Sequence, residues 1–195
     1  MYAKYIKRVL DLIISLMTIP VVLVIMIPIS IMIKLDDRGS VFFSDYRLGK
    51  DMKKFKMYKF RTMKMNAPDI RNDDGSTYNS MDDKRLTRVG KYLRITSIDE
   101  LPQVFNVFIG QMSFIGPRPS PLGNESTYSE DYLRKFTVRP GITGYNQAVL
   151  RNCANREERE KNDIFYIDNI SFLLDIKIIF LTIRAVIKRE NIYKK

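Results

Sequence analysis

From Leu12 to Ile33 no charged residue occurs, and a helix of that length would reach about 33 Å, enough to cross the hydrocarbon core of a bilayer. On length alone the segment spans. Its flanks point elsewhere: Lys4, Lys7 and Arg8 precede it, and Lys34, Arg38 and a basic remainder follow, so the positive-inside rule places both ends in the cytoplasm. Pro20 and Pro28 interrupt it. Each proline removes a helical hydrogen bond, and in hydrocarbon the freed carbonyls need partners such as Ser15, Thr18 or Ser30. A kinked re-entrant helix over residues 1–38, entering and leaving by one leaflet, satisfies both facts. An ordinary kinked spanning helix is the competing geometry. A cleaved leader is not expected, because the run is long and no small-residue cleavage site follows it.

The remaining residues, 39–195, are enough for one domain with a core. The formal net charge of +11 calls for an acidic partner, which could be nucleic acid, anionic lipid headgroups or a nucleotide-type substrate. Cys153 stands alone, so there is no disulfide framework and no zinc spacing. With no histidine in the chain, a nucleophile or general base must come largely from carboxylates, Lys, Tyr or that one Cys.

Ser40–Phe43 and Lys53–Met63 are strand-like and bounded by Gly39, Gly49 and the Asp51 region. Basic and aromatic residues interleave in the second, a pattern able to bind single-stranded nucleic acid. No Gly-aromatic motif accompanies it, so a half-buried strand is the expectation and nucleic acid is not an expected partner. Asn66–Asp83 is polar and aperiodic, a loop that serves as a lid or as a surface excursion. Lys84–Arg94 has Leu86, Val89, Gly90 and Leu93 at helical spacing with basic residues between. Leu101–Ile109 reads as core, and Arg156–Asp163 as a charged helix. Ser171–Arg189 is apolar with Lys177, Arg184 and Lys188 on one side, which fits an interfacial helix or a buried one.

The chemistry centres on Thr96-Ser97-Ile98-Asp99-Glu100-Leu101-Pro102-Gln103. Ser97 with Glu100 matches a capping box, although Pro102 lets the helix start slide to Asp99. Either start puts both acids in the positive field of a helix N-terminus, worth about 0.3–1 kcal/mol to an ionised carboxylate. Taken alone the pattern is merely a helix cap. Further on, Gly116-Pro117-Arg118-Pro119 and Val138-Arg139-Pro140-Gly141 each hold an arginine rigidly beside proline, a way to present a guanidinium fork to phosphate. Two rigid arginines and a carboxylate pair suggest chemistry on a phosphate ester with Mg²⁺, since Asp99 and Glu100 offer hard oxygen ligands and soft ligands are lacking.

These residues resemble the bacterial sugar transferases, the monotopic phosphoglycosyl transferases in their small single-domain form. The likeness runs from Lys7 to about Lys188 through the apolar segment and Val41-Phe42-Phe43 with Arg47 and Gly49. It continues in Lys59-Phe60-Arg61-Thr62-Met63, Thr87-Arg88 with Gly90 and Leu93-Arg94, and the Ser97–Gln103 run. Asn106-Val107, Gly116–Pro119, Arg139–Gly144, Gln147, Arg151 and Asp163 with Tyr166 complete it. The resemblance implies an α+β protein: a re-entrant membrane helix, then a small, mostly helical catalytic domain with a short β-hairpin and interfacial amphipathic helices.

It further implies an enzyme on the cytoplasmic face of a bacterial inner membrane. Such an enzyme moves a sugar 1-phosphate from a UDP-sugar to undecaprenyl phosphate, as the first membrane step of surface glycan synthesis. By this likeness Asp99 is the nucleophile that carries a phosphosugar, with Glu100 beside it for metal or proton work. Arg94, Arg118 and Arg139 hold phosphates, and Lys59, Gln147, Arg151 and Asp163 belong to the substrate site. Anionic lipids are the expected surroundings, and homo-oligomerisation stays open. The chain departs from the family where Leu23-Val24 replace a Ser-Pro break, and at Asp45, Tyr145 and Val149-Leu150. A competing class is a non-catalytic basic membrane scaffold or nucleic-acid binder, which has no use for Asp99 and Glu100.

Overall fold

The computed structural model describes every residue except 71–77, 79, 81, 152 and 189–195. After a short π-helical lead (Tyr2–Ile6), helix α1 runs unbroken from Lys7 to Asp37 and stops at Arg38, whose backbone is left-handed. The expected reversal at Pro20 and Pro28 does not occur within this helical run: both prolines lie inside one continuous helix. Nor do the hydroxyls act as expected. Pro20 frees the carbonyl of Leu16 and Pro28 that of Val24, whereas Ser15 donates to Leu12, Thr18 to Ile14 and Ser15, and Ser30 to Met26.

Asp11, Ser15, Val22, Ile29 and Ile33 are the buried residues of α1, and their spacings of four and seven put them on one stripe. That stripe packs on the rest of the protein, while Leu16, Met17, Val24, Ile27 and Leu35 are exposed. By length and composition α1 is able to cross a membrane, and its apolar outer face has the character of a lipid-facing surface. Both ends are tied down. Asp11 accepts from Ser113 Oγ and the Phe114 amide at 3.1 Å each. Lys7 pairs with Asp175 at 2.5 Å, and Asp175 also accepts from the hydroxyls of Tyr2 and Tyr166. At the far end Arg61 grips both carboxylate oxygens of Asp37, and Asp36 accepts from the Val89 amide, one of the unpaired donors that open the next helix.

Strands β1 (Phe42–Leu48) and β2 (Lys54–Phe60) form an antiparallel hairpin with Phe42 opposite Phe60 and Leu48 opposite Lys54. Alternation holds in β2, where Phe55 and Met57 are buried between exposed Lys54, Lys56 and Tyr58. Helix α2 (Arg88–Thr96) follows, capped by Thr87 Oγ1 on the Gly90 amide. Gly90 is required there, because a Cβ would lie 2.0 Å from the Thr62 carbonyl oxygen. Next come a 3-10 turn (Ile98–Glu100), α3 (Gln103–Phe108), β3 (Ser113–Ile115) and β4 (Ser120–Pro121), which pairs with the free edge of β1. After α4 (Glu130–Leu133), β5 (Gly141–Thr143) pairs in parallel with β3; α5 (Tyr145–Val149), α6 (Arg156–Asp168) and α7 (Phe172–Ile187) complete the chain.

The core is divided. Ile29 and Ile33 of α1 join Phe60 and Leu93; Phe55 and Met57 join Val107 and Met112; Ile115, Ala148, Tyr166 and Ile178 form a third cluster. The α+β class is as the sequence implies, with two small sheets. In helix α7 Ile178 and Ala185 are buried, while Phe172, Leu173, Phe180, Ile183 and Ile187 are exposed. Of the polar 66–83 stretch, the described residues form neither helix nor strand; the others lie outside the described residues.

Candidate active site

The acid pair does not open a helix. Helix α2 continues to Thr96, Ser97 closes it in the left-handed conformation (φ 58°), and Asp99 and Glu100 ride on the tight 3-10 turn before Pro102 starts α3. The capping box is therefore a correction. Ser97 makes no side-chain cap, and its Oγ instead accepts from Arg151 Nη2 at 2.9 Å. Asp99 is buried. Burial and then the charge of Glu100 push its carboxyl up to about 7, against the pull of Lys59, Arg94 and Arg118. The helix-end field expected to favour the ionised form of Asp99 is outweighed by burial and by the second acid.

Four cations face the pair from separate elements. Lys59 comes from β2, and burial, opposed by Asp99 and reinforced by Arg94, Arg47 and Arg118, lowers its ammonium to about 8. Arg94, in the last turn of α2, is steadied by its Nε on Thr62 Oγ1 at 3.1 Å. Arg118 donates to Glu100 Oε1 at 3.2 Å from the proline-flanked turn. Arg151 spans from Ser97 to the Ile95 carbonyl at 3.4 Å. With Gln147 these residues line one cavity of about 670 Å³. Its walls differ in character. Met17, Val21, Val22 and Ile25 of α1 supply an apolar side, and Thr182, Ala185 and Val186 of α7 lie among the other lining residues.

The structure thus brings together Asp99, Glu100, Lys59, Arg94, Arg118, Gln147 and Arg151. It does not bring Arg139 or Asp163 to them. Arg139 donates its Nε to the Gly110 carbonyl at 2.8 Å, and Arg8 donates to the carbonyls of Val107 and Phe108 at 2.7 and 2.9 Å. Both arginines therefore serve the carbonyl-rich end of α3, the electronegative pole of a helix, and line a second, small cavity. Asp163 is buried in a knot in which Lys135 Nζ and Tyr132 Oη each donate to its Oδ2 at 3.1 Å. Pro20 and Pro28 lie on α1 and do not line the large cavity. Reading the sequence missed Arg47, Gln103, Asn146 and the α1 residues of the cavity wall. Arg47 carried a signal as part of a strand motif; nothing local marks the α1 residues, which differ in no way from their apolar neighbours.

Among the described residues no group of three or more acidic, His or Cys side chains could hold a metal ion. Asp99 and Glu100 are, among those residues, the only carboxylates lining the cavity. This donor set fits Mg²⁺, which binds through one or two carboxylates and takes its other oxygens from substrate phosphate and water. Burial and then repulsion from Glu100 raise Asp99, and the repulsion is the kind that a dication relieves.

A family model described as bacterial sugar transferase matches residues 2–189. The UDP-N-acetylgalactosamine-undecaprenyl-phosphate N-acetylgalactosaminephosphotransferase of Aeromonas hydrophila is 38% identical over 189 residues, covering 94% of this chain and 44% of that protein. The uncharacterized sugar transferase EpsL of Bacillus subtilis is 39% identical over 186 residues, 95% of this chain and 89% of that protein. The UDP-glucose:undecaprenyl-phosphate glucose-1-phosphate transferase of Klebsiella pneumoniae is 39% identical over 185 residues, 91% of this chain and 39% of that protein. The chain spans less than half the length of the Aeromonas and Klebsiella proteins.

Proposed function

The chain belongs to the bacterial sugar transferase family, and from that membership and the cavity we propose that it transfers a sugar 1-phosphate from a UDP-sugar to undecaprenyl phosphate. The observation that carries this reading is a pair of adjacent carboxylates, one buried, facing Lys59, Arg94, Arg118 and Arg151 across a single cavity. Cations in that number suit a diphosphate, and an acid among them suits attack on it. A scaffold would gain nothing from burying Asp99.

In the first step a carboxylate oxygen of Asp99 attacks the sugar-bearing phosphorus. The bond from that phosphorus to the bridging oxygen breaks, and UMP leaves with the electron pair. In the second, a phosphate oxygen of the acceptor attacks the same phosphorus, the bond to Asp99 breaks, and the carboxylate returns as the undecaprenyl diphosphate sugar forms. Lys59 favours the ionised form of Asp99 and Arg94, Arg118 and Arg151 hold the phosphates in line. Mg²⁺ held by Asp99 and Glu100 would supply the charge neutralisation that lets anions approach one another. The apolar wall of Met17, Val21, Val22 and Ile25 suits the first isoprene units of the acceptor. On this reading the protein sits on the cytoplasmic face of a bacterial inner membrane, both ends of α1 stay on that face because each is tied to the catalytic domain, and the product feeds surface glycan synthesis.

The test is a panel of labelled UDP-sugars given without acceptor. Label from the sugar phosphate should remain on the denatured wild-type protein and be absent from Asp99→Asn, and full turnover should follow ping-pong kinetics. Near-native turnover by Asp99→Asn would sink the assignment.

A further inference from the structure

Gln147 is the one side chain of the cavity wall whose amide is buried with neither Nε2 nor Oε1 bonded to any protein group, among the described residues. Burying an unpaired donor and acceptor is unfavourable to the free protein. The backbone makes room for this amide. Residue 144 is glycine, and a Cβ there would come within 2.9 Å of Gln147 Oε1 and 2.1 Å of the Gly116 carbonyl oxygen. The side chain thus folds back over the start of α5 into space that any other residue at 144 would occupy.

Its position relative to the acids is set through Arg151. That residue donates its backbone amide to the Gln147 carbonyl at 3.2 Å and reaches with Nη2 to Ser97, two residues before Asp99. Gln147 is therefore tied through the backbone to a phosphate-holding arginine just past the end of α5, and both side chains line the same cavity. In a UDP-sugar the hexose is bonded directly to the phosphorus that Asp99 attacks, whereas the uracil lies beyond the second phosphate and the ribose. A primary amide offers one donor edge and one acceptor edge, which two neighbouring hydroxyls of a pyranose can both answer.

Resting on the sugar-phosphate transfer proposed above, we propose that Gln147 holds two neighbouring hydroxyls of the transferred hexose and so sets how tightly the sugar, not the nucleotide, is bound. An unliganded amide is then an unfavourable feature retained for binding.

The experiment measures binding rather than turnover, so that it stands apart from the transfer chemistry. In an Asp99→Asn background, calorimetry compares UDP with the UDP-sugar that the wild type turns over fastest. Adding Gln147→Met should weaken UDP-sugar binding by about ten- to a hundredfold, as expected for two lost neutral hydrogen bonds. UDP binding should stay within about twofold, and the unliganded melting temperature should hold or rise. UDP-sugars lacking one candidate hydroxyl should bind more weakly to the parent but equally to Gln147→Met. Gln147→Glu, which keeps the length but loses the donor, guards against a packing defect and should fall between the two. Equal weakening of UDP and UDP-sugar would assign Gln147 to the base or the phosphates and overturn the proposal, as would unchanged UDP-sugar affinity. Absence of UMP release from every UDP-sugar by the wild type would instead defeat the transfer reading.

Discussion

Replacing Asp163 by Asn should cost stability and leave the chemistry largely intact. Asp163 and Lys135 are 1% and 5% exposed, their charged atoms lie 3.1 Å apart, and Tyr132 completes the knot. Asn is nearly isosteric, so no cavity opens and the loss is that of the negative charge. Removing one member of a buried pair typically costs about 3–5 kcal/mol, because the other charge stays without compensation. For a chain of this size about 2–4 °C of melting temperature accompanies each kcal/mol, so a fall of roughly 6–20 °C is expected. Burial already lowers the Lys135 ammonium, with Asp163 opposing; without Asp163 it falls further and the amine sheds its proton. A lysine with a depressed folded pKa binds more protons unfolded than folded, so the stability of Asp163→Asn should rise with pH below the unfolded lysine value, by at most about 1.4 kcal/mol per pH unit. Adding Lys135→Met should restore much of the loss, with coupling in the cycle of about 2 kcal/mol. Thermal and urea unfolding in one detergent, with UMP release measured well below each melting temperature, checks this. A variant as stable as wild type but without turnover would place Asp163 in the chemistry and refute the argument.

Arg139→Ala should leave the KM for UDP-sugar within about threefold, whereas Arg151→Ala should raise it by ten- to a hundredfold; steady-state kinetics on both reads the difference, and equal losses would contradict the placement of Arg139 at the end of α3. Because the Asp99 carboxyl sits near 7, protons and Mg²⁺ should compete there: apparent Mg²⁺ affinity, by calorimetry at pH 6, 7 and 8, should fall as pH drops, by up to about tenfold per unit below 7. A flat affinity would refute the raised carboxyl, and full UMP release in excess chelator would refute the metal. For topology, a single cysteine at position 3 in a Cys153→Ser background should resist impermeant reagents applied from the periplasm. Labelling there, with the catalytic domain cytoplasmic, would make α1 an ordinary spanning helix; Pro20→Ala with Pro28→Ala should push part of the population toward that state.

The uncharged run, the alternation of Phe55 and Met57 with Lys54, Lys56 and Tyr58, and the spacing that buries Gly90 and Leu93 are local patterns, and each was legible because a helix or strand repeats over a few residues. The acids and the arginines could be named for the same reason, as residue types in a motif. Ser97 shows where such reading ends. Its Ser-x-x-Glu pattern is that of a cap, yet α2 runs on to Thr96 and Arg151, distant in sequence, takes the hydroxyl. The same limit holds for Asp99: a helix-end field shifts a carboxyl by less than one pH unit, while burial beside Glu100 lifts it from 3.8 to about 7. Arg139 and Asp163 carry the right chemistry, but Arg139 serves the end of α3 and Asp163 a buried lysine. The sequence by itself determined periodicity, charge and the inventory of reactive groups, since these are properties of neighbours along the chain. Only the tertiary structure decided which groups share a cavity, which are paired and which lose their water, because desolvation and Coulomb interaction depend on distance in space, and residues as far apart in the chain as Lys59, Asp99 and Arg151 meet there.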